Sequence, residues 1–326
     1  MKERVLLIDA LNIFYANYHI SSRQDQNGDP NGGFIGFLNQ IRNIVYKLSP
    51  KKVIVVFDGP NAGYRRKLLF KEYKGKRAKK IRFARVHMGE EKEDILQINN
   101  EQQQIKNLFE FLKILPVQII VVPHFEADDV IAHLAVQNPQ YQNIIISSDK
   151  DYLQMLSDNV FVYQPFKHEF WEKQTIQEKY GIPQENFLFY RTICGDSSDA
   201  LKGVKGISKG FLLKEFPSIQ NTIYNSFSEF WDAIKNIPSE NKTALKLKEG
   251  FEQSLFAYQL MSLDNTLNVK AKELIIVQLN EQTNKPYSRT GIKIYCMKNK
   301  LNFDIPNFEC WISPFNFLNN NLKIIV

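Results

Sequence analysis

The chain has 326 residues, with 44% hydrophobic side chains, 3 Cys and 42 Lys+Arg against 35 Asp+Glu. That length accommodates two or three domains and a sizeable core, and the composition excludes a disordered, collagen-like or disulfide-stapled protein. The net charge of +7 averages over a very uneven distribution.

Residues 4–9 (RVLLID) read as a buried strand, 33–48 as a helix and 52–58 (KVIVVFD) as a second strand. Next comes a segment, residues 61–87, with 11 basic residues and one acid; the rest of the chain, 31 basic against 34 acidic, is net −3. A slightly acidic body with one intensely basic stretch expects a polyanionic partner. Tyr64, Phe70, Tyr73 and Phe83 are interleaved with these cations, as suits backbone neutralisation with some base stacking. A helix is expected over 101–115, a strand over 117–122, a helix over 126–137 and a fourth strand over 143–147. Near-continuous Val/Ile/Leu runs alternating with helices argue for an open α/β sheet, mostly parallel and covered on both faces. From about Gln184 the pattern becomes short helices broken by Gly203, Gly206, Gly210 and Pro217, with helical periodicity returning over 241–262. Past about residue 265 the signal weakens; residues 293–297 suit a helix packed back on the core, and Phe303, Phe308, Trp311, Phe315 and Phe317 suit core positions.

No apolar run approaches the roughly 18 residues of a membrane span, and the N-terminus MKERVLLIDAL lacks a signal peptide's long apolar stretch. Cys194, Cys296 and Cys310 have no ligand spacing. A cytoplasmic protein without a membrane partner is expected.

The acids carry the chemistry. Asp9 and Asp58 end their strands, Asp149 and Asp151 follow NIIISS, and Glu126, Asp128 and Asp129 open the helix after the third strand. In a parallel sheet the carboxyl ends of the strands share one edge, where ligands bind. A single Asp after a strand is most often a helix cap; seven acids on one edge repel one another unless cations neutralise them. Asp196 and Asp199 add a further pair. Oxygen ligands favour Mg²⁺ or Mn²⁺ over Zn²⁺, and His19, His87, His124, His133 and His168 show no ligand spacing. So many acids suit two ions roughly 4 Å apart, acting on a phosphodiester.

The motifs LLIDALN, VVFDG, YRRKLLFKEYKGKR, FEADDVIA, IISSDKDYLQML and GDSSDALKGVKGI, spread over residues 4–216, resemble in order and spacing those of the flap endonuclease/5′–3′ exonuclease family, phage ribonuclease H-type members above all. The resemblance implies a PIN-like, Rossmann-like nuclease domain over 1–183 with a basic arch at 61–100. It implies a smaller helical domain over 184–265 with a helix–hairpin–helix-like element, and an extension over 266–326. By position it assigns Asp9, Asp58, Glu126, Asp128 and Asp129 to a first metal, and Asp149, Asp151, Asp196 and Asp199 to a second. The cofactors implied are two Mg²⁺, with Mn²⁺ as substitute. Tyr73, Lys74 and Arg77 would be catalytic, Lys74 contacting the scissile phosphate and Arg77 acting as a second clamp.

DNA contacts would fall to Arg65, Arg66, Lys67, Lys71, Lys76, Lys79, Lys80 and Arg82, and to Gly203, Lys205, Gly206, Ser208 and Lys209. The family's hairpin can hold K⁺; Ser208 in place of its third glycine departs from that pattern. The activity implied is removal of 5′ flaps, of 5′ ends at nicks and gaps, and of RNA from RNA–DNA hybrids, leaving 5′-phosphates, in replication and repair. A monomer is expected, with a single-stranded-DNA-binding protein, sliding clamp or polymerase as partner. The alternatives are a non-catalytic DNA-structure-binding relative, disfavoured by the complete acid set, and a PIN-type single-stranded RNA ribonuclease, disfavoured by Asp196, Asp199 and the basic segment.

Overall fold

The computed structural model describes residues 2–25, 28–70, 100–196, 201–238, 242–283, 287–299, 301, 305 and 307–326. Strand β1 (Arg4–Asp9) runs without a loop into helix α1 (Ala10–Ile20), followed by α2 (Gly32–Leu48), β2 (Lys52–Asp58), α3 (Tyr64–Leu69), α4 (Asn100–Leu112), β3 (Gln118–Val122), α5 (Ala127–Gln137) and β4 (Gln142–Ile146). A 3-10 turn (Lys150–Met155) then leads to β5 (Val160–Gln164), β6 (Glu169–Trp171) and α6 (Lys173–Tyr180).

These strands form one six-stranded sheet in the order β3-β2-β1-β4-β5-β6, parallel up to β5, with β6 antiparallel at the edge. The expected α/β class, a mostly parallel sheet flanked by helices, holds. The expectation of four strands is corrected to six: β5 (VFVYQ) mixes aromatic and polar residues rather than forming a Val/Ile/Leu run, β6 has only three residues, and both extend the sheet beyond β4. Alternation along the inner strands feeds two cores, as period-2 geometry requires. Val5, Leu7, Ile54, Val56 and Ile145 pack on the α5 side, whereas Leu6, Ile8, Val53, Val55 and Ile144 pack against α1, α2 and α4.

The later chain comprises α7 (Phe187–Cys194), a two-residue hairpin of β7 (Gly195–Asp196) and β8 (Leu201–Lys202), and then α8 (Lys209–Glu215), α9 (Phe227–Lys235), α10 (Lys242–Glu249) and α11 (Phe251–Met261). It closes with α12 (Val269–Thr283), α13 (Arg289–Lys298) and α14 (Phe308–Ile312). In α13, Ile292 and Cys296 join the core on the α1 side, as do Trp311 and Phe315, whereas Phe317 is exposed. No helix among the described residues is long and apolar enough to cross a membrane.

Helix α12 covers the open edge of the sheet in an uncommon way. Gln278 accepts a hydrogen bond from Val121 N and donates one to Val121 O, both at 2.9 Å. One turn on, Gln282 does the same for Ile119, both at 2.8 Å. Two side-chain amides at i, i+4 thus mimic a neighbouring strand and satisfy edge groups that would otherwise invite pairing.

At the opposite end of the strands, Lys52 donates to the carbonyls of Asn320 (3.0 Å) and Leu322 (2.6 Å), pinning the C-terminal segment beneath the sheet. Burial pulls the Lys52 ammonium down to about pKa 8 from an unfolded-chain value near 10.4. Between those values the unfolded chain binds more protons, so stability rises with pH across that window. In urea titrations, the stability of the wild type relative to Lys52→Met should therefore increase from pH 8 towards pH 10. A decrease would show that the two carbonyls hold the charged form more strongly than burial opposes it.

Candidate active site

Strands β2 and β3 lie on one side of β1, β4 and β5 on the other. The crevice above the carboxyl ends of β1 and β4 is therefore the topological switch point, the usual ligand site of an open α/β sheet. Asp9 ends β1, Asp58 ends β2, Glu126, Asp128 and Asp129 open α5 behind β3, and Asp149 and Asp151 open the 3-10 turn behind β4.

Most of these acids are held by backbone hydrogen bonds. Asp9 is the N-cap of α1, accepting from Asn12 N at 3.0 Å, while its other oxygen accepts from Tyr152 Oη (3.2 Å) and Ser147 Oγ (3.4 Å). Asp58 accepts from Ala127 N at 2.9 Å, tying the end of β2 to the start of α5. Glu126 and Asp129 form a reciprocal capping box, and Asp149 accepts from Asp151 N at 2.9 Å. Capping and site formation, alternatives for any one acid, are here performed by the same carboxylates. The two loops are also stitched together, Gly59 N donating to Phe125 O at 3.0 Å and His124 N to Pro60 O at 2.6 Å. A Cβ at Gly59 would overlap the Val122 carbonyl, so only glycine allows this approach.

The fully buried Tyr152 marks where the groups meet. Burial, then the charges of Asp9, Asp128, Asp149 and Asp58, push its phenol well above the ordinary range. Of these, Asp9 is in direct hydrogen-bond contact with the hydroxyl. Sequence reading missed Tyr152, whose only signal was its place inside the DKDYLQM run.

Sequence reading also misplaced Arg66 and missed Arg191. Expected among the DNA-contacting cations, Arg66 is only 2% exposed and lies among the acids. Its guanidinium forks onto Asp129 with both contacts at 3.2 Å, pairs with Glu126 and lies 3.3 Å from Asp128. The physical reason is that α3 turns this side chain inward, where pairing with three acids avoids the large cost of an unpaired buried charge. Arg191, the lone charge in the apolar helix FLFYRTIC, lies 2.8 Å from Asp151 and pairs with Asp196. A single arginine in such a helix is itself a signal, because buried charges are paired.

Arg65 is half-buried, donating to the carbonyls of Gln259 (3.2 Å) and Ser262 (3.3 Å), and lies 3.6 Å from Asp129; Lys67 is exposed. Lys71, Tyr73, Lys74, Lys76, Arg77, Lys79, Lys80, Arg82 and Asp199 fall outside the described residues. In the turn after β8, Gly206 has φ +81°, Lys205 is exposed, and Ser208 caps α8 by accepting from Phe211 N at 3.4 Å. Lys209 donates to Lys179 O at 2.8 Å and sits over the Tyr180 ring. Gly203 packs against the Cys194 backbone with no space for a side chain.

Glu126, Asp128 and Asp129 each offer an oxygen within 4.8 Å of the others. Such an all-oxygen donor set fits a hard divalent cation, and the arginines paired with it show that the fold already meets the need for positive charge.

A doubly wound sheet with acids gathered at its switch point, in a chain that also carries an intensely basic stretch of sequence, agrees with a hydrolase of phosphodiester bonds, a nuclease, and the family match bears this out. Residues 4–181 match the family model described as 5′-3′ exonuclease, N-terminal resolvase-like domain, and the chain belongs to that 5′–3′ exonuclease family. It is 34% identical over 283 residues to a 5′-3′ exonuclease of Buchnera aphidicola (subspecies Acyrthosiphon pisum), spanning 83% of this chain and 91% of that one. It is 31% identical over 230 residues to the thermostable DNA polymerase I of Thermus thermophilus, spanning 69% of this chain and 25% of the polymerase. In fold it resembles the flap endonuclease of bacteriophage T5 in complex with DNA and metal ions, at 17% identity and a TM-score of 0.59, covering 95% of this chain and all of that one.

Proposed function

We propose that this chain is a structure-selective 5′ nuclease that removes flaps, 5′ ends at nicks, and RNA from RNA–DNA hybrids, using two Mg²⁺ ions, in replication and repair. The observation that carries this reading is the acid arrangement at the carboxyl edge of the sheet: Glu126, Asp128 and Asp129 within 4.8 Å of one another, Asp58 tied to the same helix start, and Asp9 and Asp149 capping the turns that follow β1 and β4. Names among the relatives point the same way: exonucleases, a DNA polymerase I and a flap endonuclease holding DNA and metal ions.

In this reading Asp58, Glu126, Asp128 and Asp129, with Asp9, hold one ion, and Asp149, Asp151, Asp196 and Asp199 the other. When bound, the ions supply Lewis-acid stabilisation and lower the pKa of water. The caps on Asp9, Asp58 and Asp149 fix their carboxylates before substrate arrives, so little reorganisation accompanies reaction. Residues 1–183 form the catalytic part, and residues 203–209 grip duplex phosphates through backbone amides and lysines. Lys74 and Arg77, with Tyr73, hold the scissile phosphate.

The test is cleavage of end-labelled 5′-flap, nicked, hybrid and single-stranded substrates in Mg²⁺. Flap and nicked duplexes should be cut near the 5′ end and single strands poorly. Lys74→Ala should lower kcat by about 10²–10³-fold, as loss of a transition-state donor does, while duplex Kd in Ca²⁺ changes little. Equal cutting of every substrate, or a Kd effect exceeding the kcat effect, contradicts the reading.

A further inference from the structure

The position of Arg66 has a thermodynamic meaning beyond structure. Its Nε donates to Leu260 O at 3.0 Å, at the C-terminal end of α11, while both terminal nitrogens contact the Glu126–Asp128–Asp129 group. The neighbouring Arg65 donates to Gln259 O and Ser262 O. A guanidinium buried to 2% exposure and anchored at both ends is a permanent part of the site, and the helix terminus it binds favours positive charge.

We propose that Arg66 is a built-in counter-ion that keeps the acid group stable without metal and thereby sets a deliberately weak affinity for divalent cations. The inference rests on the reading of these acids as a divalent-cation site. Three carboxylates within 4.8 Å of one another repel strongly when buried; one fixed cation removes most of that repulsion. Metal affinity is the difference between the loaded and unloaded states. A cation that relieves the unloaded state more than the loaded one therefore weakens metal binding. Arg191, across Asp151 and Asp196, repeats the arrangement at the second group.

The experiment is calorimetric titration of the full chain with MnCl₂, alongside thermal melts with and without Mn²⁺. Arg66→Gln should bind Mn²⁺ about tenfold or more tightly than wild type, by loss of a nearby positive charge. Its metal-free Tm should fall by several degrees, and Mn²⁺ should restore more of that loss than it adds to the wild-type Tm. Folding of the variant only in the presence of Mn²⁺ gives the same answer.

Should Arg66→Gln not fold at all, Arg66→Gln/Asp129→Asn decides, because it removes both partners of the fork and keeps the net charge. Its Mn²⁺ Kd should lie within about threefold of wild type, whereas Asp129→Asn alone binds about tenfold more weakly. Unchanged or weaker binding by Arg66→Gln overturns the inference, as does a double variant as weak as Asp129→Asn. A wild type that binds no Mn²⁺ at millimolar concentration overturns the cation-site reading itself, a separable result.

Discussion

Replacing Asp149 and Asp151 together by asparagine is expected to lower cleavage of a 5′-flap substrate in Mg²⁺ by about 10³-fold or more, the scale on which removal of preorganised charge acts on phosphoryl chemistry. The pair isolates chemistry from folding. Asp149 accepts from Asp151 N, and asparagine can accept that bond through its own oxygen, so the 3-10 turn survives. Arg191 loses its charged partner at Asp151 but keeps the one at Asp196. Tm should accordingly change by only a few degrees, and flap binding in Ca²⁺ should remain. The double variant has lost two negative charges beside the substrate, so its affinity for DNA should hold or rise. Cleavage within tenfold of wild type would show that the second acid group is not part of the reaction centre.

The second large effect concerns the sheet edge. A chain ending at residue 265 loses Ala271, Ile275 and Leu279 from one core, and Ile292, Cys296, Trp311 and Phe315 from the other. It also uncovers Ile119 and Val121, whose backbone groups Gln278 and Gln282 occupy. An apolar, unpaired edge strand is a template for association. The truncated chain is expected in the insoluble fraction or as large species on size exclusion, and a soluble, active monomer would contradict this. The milder Gln278→Ala/Gln282→Ala removes the four hydrogen bonds to the edge strand, worth about 1 kcal/mol each. It should reduce unfolding free energy by about 2–4 kcal/mol with kcat unchanged, measured by urea titration and flap cleavage.

The sheet's inner strands were legible because each is a run of Val, Ile and Leu that only double-sided burial explains. Helix α1 was not, because Asp9 is both the last residue of β1 and the cap of α1, leaving no turn residue to mark the join. The acids were legible as a set through their positions after strands. Their caps were not, since hydrogen bonds such as Asp58 to Ala127 N join residues far apart in sequence. Arg66 escaped because nothing in Arg65-Arg66-Lys67 distinguishes the inward-facing cation from its neighbours; a helix of six residues decides it. The Gln278/Gln282 pair escaped for a related reason: two exposed-looking glutamines on a helix reveal nothing until an edge strand is placed beside them.

The small hairpin has a mechanical consequence. Asp196 pairs with Leu201 and Gly195 with Lys202, and just beyond, Val204 N donates to Ile193 O at 2.8 Å. Gly195 (φ +77°) and Gly203 are so closely apposed that neither tolerates a Cβ. The turn carrying Lys205 and Gly206 and the carboxylate of Asp196 therefore sit on one stiff lever, fulcrumed at two glycines. By contrast, Asp58 and the α5 acids are bolted to the sheet. Of the second acid group, Asp149 and Asp151 are likewise fixed behind β4, and among the described residues Asp196 alone belongs to the arm that we propose touches duplex DNA.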